Sequence, residues 1–166
     1  MLFIRPSLAS EAAILATVAW RAKALWGYSV DVLERWRSEL SPTAASINSA
    51  PTYVAEIDGV IAGWCQISIN THPIELEHLW VHPTFMRLGV GRALITKVCA
   101  HLSLQGVPRL IIDADPNAAP FYSHCGAVRV GEIAAPIPGS PTRVRPLFEL
   151  DVSIHADTSS TVHPGE

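Results

Sequence analysis

The segment Leu79-Trp80-Val81-His82-Pro83-Thr84-Phe85-Met86-Arg87-Leu88-Gly89-Val90-Gly91-Arg92-Ala93-Leu94 constrains this chain more than any other. Its apolar start reads as the end of a strand, and a proline stops it. A loop follows, and a glycine-spaced turn opens a helix expected from Gly89 to about Leu104. Leu94, Val98 and Leu102 form one row of that helix, with Ile95 and Cys99 beside it. The first N–H groups of a helix have no intrahelical partner, and the helix dipole adds partial positive charge there. Two glycines let the backbone approach a ligand, so the turn suits an anion, most naturally a pyrophosphate. Arg87 and Arg92 flank it, and basic residues at a helix start oppose the dipole unless an anion offsets them. In isolation, Gly-x-Gly is more often a plain loop-to-helix turn. Leu94 stands where the third glycine of a dinucleotide fingerprint belongs, and no Gly-Lys-Ser/Thr follows. Rossmann-type NAD sites and P-loop nucleotide sites are therefore disfavoured.

The rest of the chain supplies a sheet and helices around this unit. Residues 2–5 read as a strand. Ser10 precedes a helical pattern carried by Ile14, Leu15, Val18 and Leu25, which Trp26-Gly27-Tyr28-Ser29 breaks. A second helix is expected over 30–40, closed by Ser41-Pro42, and 41–51 read as a loop. Strands at 52–57 and 60–69 flank Asp58-Gly59, a two-residue hairpin signal. A further strand covers 74–81, and Gly106 is placed to cap the long helix. Then come a strand at 110–112, a short helix from Asp115-Pro116-Asn117 through Tyr122, and strands at 127–133 and 145–152 around a Pro-rich loop at 134–143. The order β-α-α-β-β-β-α-β-α-β-β predicts a mixed α/β domain over 1–153. Residues 154–166 carry few large apolar groups and are expected to be a disordered tail.

Composition narrows the partners. A chain of 166 residues is one domain with room for a real core, and 49% apolar against 16% charged residues excludes wholesale disorder. Twelve Lys+Arg against fifteen Asp+Glu give a net charge of −3, which argues against nucleic acid as a partner. No run of about 18 uncharged apolar residues exists, so no membrane span is expected. The N-terminus does not read as a signal peptide. Cys65, Cys99 and Cys125 are widely spaced and read as reduced, buried thiols of a cytoplasmic protein. His78 and His82 share no helical face, and adjacency of His124 to Cys125 is no catalytic dyad, so neither a metal site nor a cysteine nucleophile is expected.

About twenty-five residues after the glycine turn comes a second block, Asp115-Pro116-Asn117-Ala118-Ala119-Pro120-Phe121-Tyr122-Ser123-His124-Cys125-Gly126-Ala127. Together the two blocks resemble the GCN5-related N-acetyltransferases, the GNAT superfamily. That family has a strand ending Leu-aromatic-Val-x-Pro, then Gln/Arg-x-x-Gly-x-Gly/Ala and a helix, and later Asn…Phe-Tyr…Gly-Phe. The likeness covers about residues 52–130, and the β-α-α start also fits. Met86 stands where the family has Gln or Arg, which removes one side-chain contact and leaves the backbone donors; Ala127 replaces the usual Phe.

The resemblance implies a GNAT-like, mostly antiparallel central sheet of about seven strands flanked by about four helices. It implies acetyl-CoA as co-substrate and no metal. Its pyrophosphate would lie on the N–H groups of Arg87, Leu88, Gly89, Val90, Gly91 and Arg92. Its pantetheine would lie beside Leu79, Trp80 and Val81. Asn117 would touch that arm or hold its loop, and Phe121 and Tyr122 would border the same site. The reaction would be attack by an amine on a thioester. An acceptor ammonium has a pKa of about 10 and must first lose a proton. Glu75 falls where several family members keep their base, Glu77 is nearly as good, and Asp113 is a third candidate. Strict alternation puts Glu75 and Glu77 on one face with Leu79 and Val81. These acids would equally serve as solvated strand residues or bind a cationic substrate.

A backbone N–H near Val81 would stabilise the tetrahedral intermediate. Tyr122 occupies the family's position for the acid that protonates the leaving thiolate, and would otherwise be a core aromatic beside Phe121. Trp20, Trp26, Tyr28 and Trp36 read first as core residues. In the family, though, the turn at Trp26-Gly27-Tyr28 lines the acceptor pocket, so Trp26 and Tyr28 with Glu75 are substrate-binding candidates. They suit a small-molecule or peptide amine with an apolar part. The alternative is a non-catalytic acyl-CoA-binding sensor or interaction module. Monomer and homodimer both fit.

Overall fold

A computed structural model describes residues 1–156. Strand β1 (Leu2–Pro6) leads through a 3-10 turn (Ala9–Glu11) into α1 (Ala12–Ala24) and α2 (Val30–Leu40). A short helix α3 (Ala44–Ser49) precedes β2 (Thr52–Ile57), β3 (Val60–Ile67) and β4 (Leu76–Val81). Then follow α4 (Val90–Leu104), β5 (Arg109–Asp113), α5 (Ala119–His124), β6 (Val128–Ala134), β7 (Val144–Asp151) and a helical turn α6 (Ser153–Ala156). The expected α/β class and seven strands are present.

The seven strands form two hydrogen-bonded sheets, β1-β2-β3-β4 and β5-β7-β6, antiparallel within each. One parallel bridge, Glu75 to Ile111, joins them, with the Ile111 N–H donating to the Ile74 carbonyl at 2.9 Å. Past that bridge β4 pairs with β3 and β5 with β7, so the sheets diverge. Asp58 and Gly59 turn the β2–β3 hairpin with φ of +51° and +80°, the two left-handed residues a type I′ turn requires.

Each face of the four-stranded sheet has its own core. On one, α4 presents the expected row Leu94, Val98 and Leu102, with Ile95 and Cys99, against Ala55, Cys65, Ile67 and Leu76. On the other, α1 presents Leu15, Val18 and Ala19 to Val54 and Trp64. Trp64 is fully buried, and its indole N–H donates to the Leu15 carbonyl at 2.8 Å, which satisfies its one polar atom. All three cysteines are free and buried, as their spacing suggested.

Four local expectations are corrected. The 41–51 segment holds α3, started by a capping box in which Thr43 and Ser46 satisfy each other's backbone N–H groups. The strand expected at 60–69 stops at Ile67. Residues 74 and 75 lie outside β4 and make the bridge to β5 instead. The tail does not begin at 154, because Ser153–Ala156 form a helical turn whose His155 is buried; the remainder of that segment lies outside the described residues.

Candidate functional site

The turn before α4 is an uncapped helix start. Arg87 has φ +64° and Gly89 φ +80°, so two left-handed residues bend the chain into the helix. The first helical bond is from the Ala93 N–H to the Gly89 carbonyl at 3.0 Å, and no side chain caps the end. The N–H groups of Val90, Gly91 and Arg92 thus have no intrahelical partner. Arg87 makes no ion pair among the described residues, and the Arg92 guanidinium donates to the His124 carbonyl at 3.2 Å.

The two glycines meet different local demands. Gly89 supplies the positive φ. At Gly91 a Cβ would lie 2.9 Å from Cζ and 3.0 Å from Cε2 of Phe121, so this glycine admits the Phe121 ring against α4.

The edge of β4 faces the gap between the sheets. The His82 N–H donates to the Ala62 carbonyl at 2.8 Å, which makes that pair hydrogen-bonded. By alternation the backbones of Trp80 and His78 also face β3, and those of Leu79 and Val81 face away, into the gap. Of the three strand residues expected beside pantetheine, Leu79 and Val81 therefore offer free backbone groups, whereas that of Trp80 is committed to β3. A register shift sets Gln66 opposite His78 and Ile67 opposite Leu76, which leaves Glu77 as the extra residue of a bulge. Strict alternation fails there: Leu76, not Glu75, packs with Leu79 and Val81.

A cavity of about 480 Å³ fills the gap. Glu75, Glu77, Leu79 and Trp80 line one side, Ala118 and Tyr122 another, and Lys23, Trp26, Trp36 and Arg143 the far wall. Glu75 is half-buried at the bridge, and Glu77 is exposed in the bulge. Asp113 also borders the cavity but is held by the Arg145 guanidinium at 2.8 and 3.1 Å, which weakens its claim as a base. Tyr122 is 6% exposed, packs edge-on against Phe121, and its hydroxyl has no hydrogen-bond partner among the described residues. Burial pushes its pKa well above the ordinary phenol value, so it is held as a donor. A larger groove, about 870 Å³ between α1, the end of α2 and residues 82–84, contains none of these groups.

The far wall was only partly foreseen. Lys23 Nζ donates to Asp115 Oδ2 at 2.6 Å, and the Tyr28 hydroxyl donates to the same oxygen at 2.8 Å. Arg143 Nη2 lies 3.1 Å from the Tyr28 hydroxyl and 3.3 Å from Asp115 Oδ2. Asn117 Nδ2 donates to Asp115 Oδ1 at 2.9 Å and to the Tyr28 hydroxyl at 3.2 Å, so this side chain ties down the β5–α5 turn. Burial opposes ionisation of Asp115, but Lys23 and the hydrogen bonds outweigh it and hold the carboxyl below its usual range. Of the expected substrate residues, Trp26 lines the cavity, while the Tyr28 hydroxyl is occupied by this network. Lys23 and Asp115 are 92 positions apart, a pairing that no local pattern announces.

His78 and His82 have separate employment. His78 stacks on Trp64 at 4.7 Å, and its Nδ1 accepts from the Trp80 indole N–H at 3.0 Å. His82 Nδ1 accepts from the Thr84 N–H. Among the described residues no group of three or more His, Cys, Asp or Glu is placed to hold a metal, and no helix is long and apolar enough to cross a membrane.

A family model described as the acetyltransferase (GNAT) family matches residues 17–127. Among solved structures, the fold is similar to a GCN5-related N-acetyltransferase from Rhodopseudomonas palustris. The TM-score is 0.74 at 23% identity, over 90% of this chain and 94% of that one. It is similar to the PaiA N-acetyltransferase of Thermoplasma acidophilum, solved in complex with coenzyme A, with TM-score 0.71, 16% identity and coverage of 91% and 99%. It is also similar to the ribosomal-protein-S18-alanine N-acetyltransferase of Escherichia coli, with TM-score 0.69, 17% identity and coverage of 92% and 94%. No curated protein matches the sequence.

Proposed function

The chain belongs to the acetyltransferase (GNAT) family, and from that premise we propose that it moves the acetyl group of acetyl-CoA to a primary amine by direct attack on the thioester. The observation that carries this reading is a free strand edge that borders the cavity at Leu79 and runs on to an uncapped helix start, where a Gly91 Cβ would lie 3.7 Å from the Val81 side chain. The pyrophosphate would be held by the N–H groups of Val90, Gly91 and Arg92 with help from Arg87. The pantetheine arm would pair with Leu79 and Val81 along the gap. The catalytic domain would run from residue 1 to the end of β7, with α6 as its last packed turn.

The acceptor enters as an ammonium and must be deprotonated. Glu75 and Glu77 lie on the cavity at β4 or its start and make no ion pair among the described residues, and either could take the proton directly or through water. Glu75, half-buried beside the bridge, is the better shielded of the two. The Val81 N–H would stabilise the oxyanion as it forms. Tyr122 would donate to the departing sulfur. Its raised pKa makes it a hydrogen-bond donor first, with the proton following as the thiolate separates.

Trp26, Trp36 and Trp80 give the acceptor wall apolar faces, and Glu75, Glu77 and Glu39 give it negative charge. A small-molecule or peptide amine with an apolar part fits that combination, and a compartment with cytoplasmic acetyl-CoA fits the free thiols.

Release of free CoA thiol with a panel of amines tests the reading. Tyr122→Phe should lower turnover by about 10²-fold or more while acetyl-CoA affinity changes little. Equal turnover removes Tyr122 from the mechanism. Tight acetyl-CoA binding with no productive amine would favour the non-catalytic module.

A further inference from the structure

Ten of the twelve Lys and Arg residues are arginines, and the two lysines occupy opposite settings. Lys97 is exposed on α4, over the Tyr53 ring. The Lys23 side chain is 11% exposed, in the wall of the cavity that Tyr122 and β4 also line. Its Nζ lies 4.5 Å from the centre of the Trp36 ring, 5.3 Å from Tyr28, and 5.8 Å from both Trp26 and Trp80.

Those ring faces attract a cation, but they are poor hydrogen-bond acceptors. Asp115 Oδ2 is the one conventional acceptor in reach, so two of the three ammonium N–H groups are left without one among the described residues. An arginine would pair with Asp115 at least as well, in two-pronged fashion. What a lysine adds at this position is an amine that can lose its proton. Burial favours that loss, and it outweighs Asp115, so the Lys23 pKa is lowered.

Resting on the reading of this cleft as the acetyl-CoA site, we propose that Lys23 is itself an acceptor, which the protein acetylates when acetyl-CoA is bound and no other amine is present. Nζ first passes its ammonium proton through Asp115 to water, and the neutral amine then forms the C–N bond to the thioester carbonyl carbon. The C–S bond breaks. The nitrogen gives up its surplus proton through Asp115 to water, and the sulfur leaves as thiolate and is protonated to free CoA. The product is a neutral amide among the aromatic rings. Asp115 then retains Arg143 as its remaining cation, at 3.3 Å.

The test incubates the full chain with acetyl-CoA and no added amine, follows intact mass, and maps the modified peptide. Thermal unfolding with acetyl-CoA is read in parallel. The expected result is one acetyl group on Lys23, gained at a rate per molecule that dilution does not change. It should form about tenfold or more faster than at exposed Lys97, because a bound thioester is local to Lys23. Lys23→Arg should abolish it while acetyl-CoA still raises the unfolding temperature. A raised unfolding temperature with no acetyl group on Lys23 overturns the inference and leaves the acetyl-CoA reading standing. Equal labelling of Lys23 and Lys97, or labelling that persists in urea-unfolded protein, also overturns it. No thermal shift and no acetyl group overturns both.

Discussion

The α4 side of the candidate site presents backbone groups, whereas the wall beside α1 and α2 is made of side chains drawn from four separate segments. On the first, the helix start and the outer edge of β4 present backbone N–H groups without intrahelical or β3 partners, and these are the groups proposed to hold the ligand. On the second, Lys23 from α1, Tyr28 from the α1–α2 turn, Asp115 and Asn117 from the β5–α5 turn and Arg143 from the β6–β7 loop close one hydrogen-bonded network. A backbone site tolerates many side chains provided the turn geometry survives. A side-chain network is specific to its members, and removing one strands the others.

The largest expected effect lies in the network. Asp115→Asn leaves the Lys23 and Arg143 cations, with side chains 11% and 7% exposed, without a counter-charge. Urea unfolding should show a loss of about 3–5 kcal/mol. A cost no larger than that of a surface substitution would mean that this wall is held by packing alone.

The next effect is one of pH. Burial pushes the His78 pKa down to about 4 from 6.5, so the folded protein resists a proton that the unfolded chain accepts. Stability should therefore fall as pH drops from about 6.5 to about 4, by no more than about 3 kcal/mol for this group. Urea melts of the wild type and His78→Gln across that window check it, the variant giving the flatter profile. An unchanged profile would show that His78 is not the group that titrates.

Smaller effects separate the two glycines. Gly91→Ala pushes a methyl onto the Phe121 ring and should cost about 1–3 kcal/mol, with Phe121→Leu restoring much of it. Gly89→Ala must hold an L-residue at φ +80°, at a cost of about 1–2 kcal/mol, which Phe121→Leu should not relieve. Thermal unfolding of the four proteins reads this directly. Rescue of both glycine variants by Phe121→Leu would erase the distinction.

What could be read from the sequence follows the same division. The turn before α4 and the end of β4 are local, so the glycine turn and the α4 row were legible within sixteen residues, and the second block likewise placed Tyr122 on a short helix. The Glu77 bulge was invisible because alternation assumes an unbroken register. The α3 helix was missed because Thr43 and Ser46, small polar residues, read as loop while serving as a cap. Lys23 falls within the first helical pattern with nothing local to single it out, and Arg143 falls in the Pro-rich loop. Their meaning lies in Asp115, distant in sequence, and in a cavity that exists only once the two sheets diverge.

The most direct test is amide hydrogen exchange with and without acetyl-CoA, resolved by residue. The account predicts new protection at the Leu79 and Val81 amides and at Val90, Gly91 and Arg92, where the backbone is expected to hold the ligand. Protection confined to the groove between α1, α2 and residues 82–84, or no change at any of these amides with acetyl-CoA at saturating concentration, would contradict it.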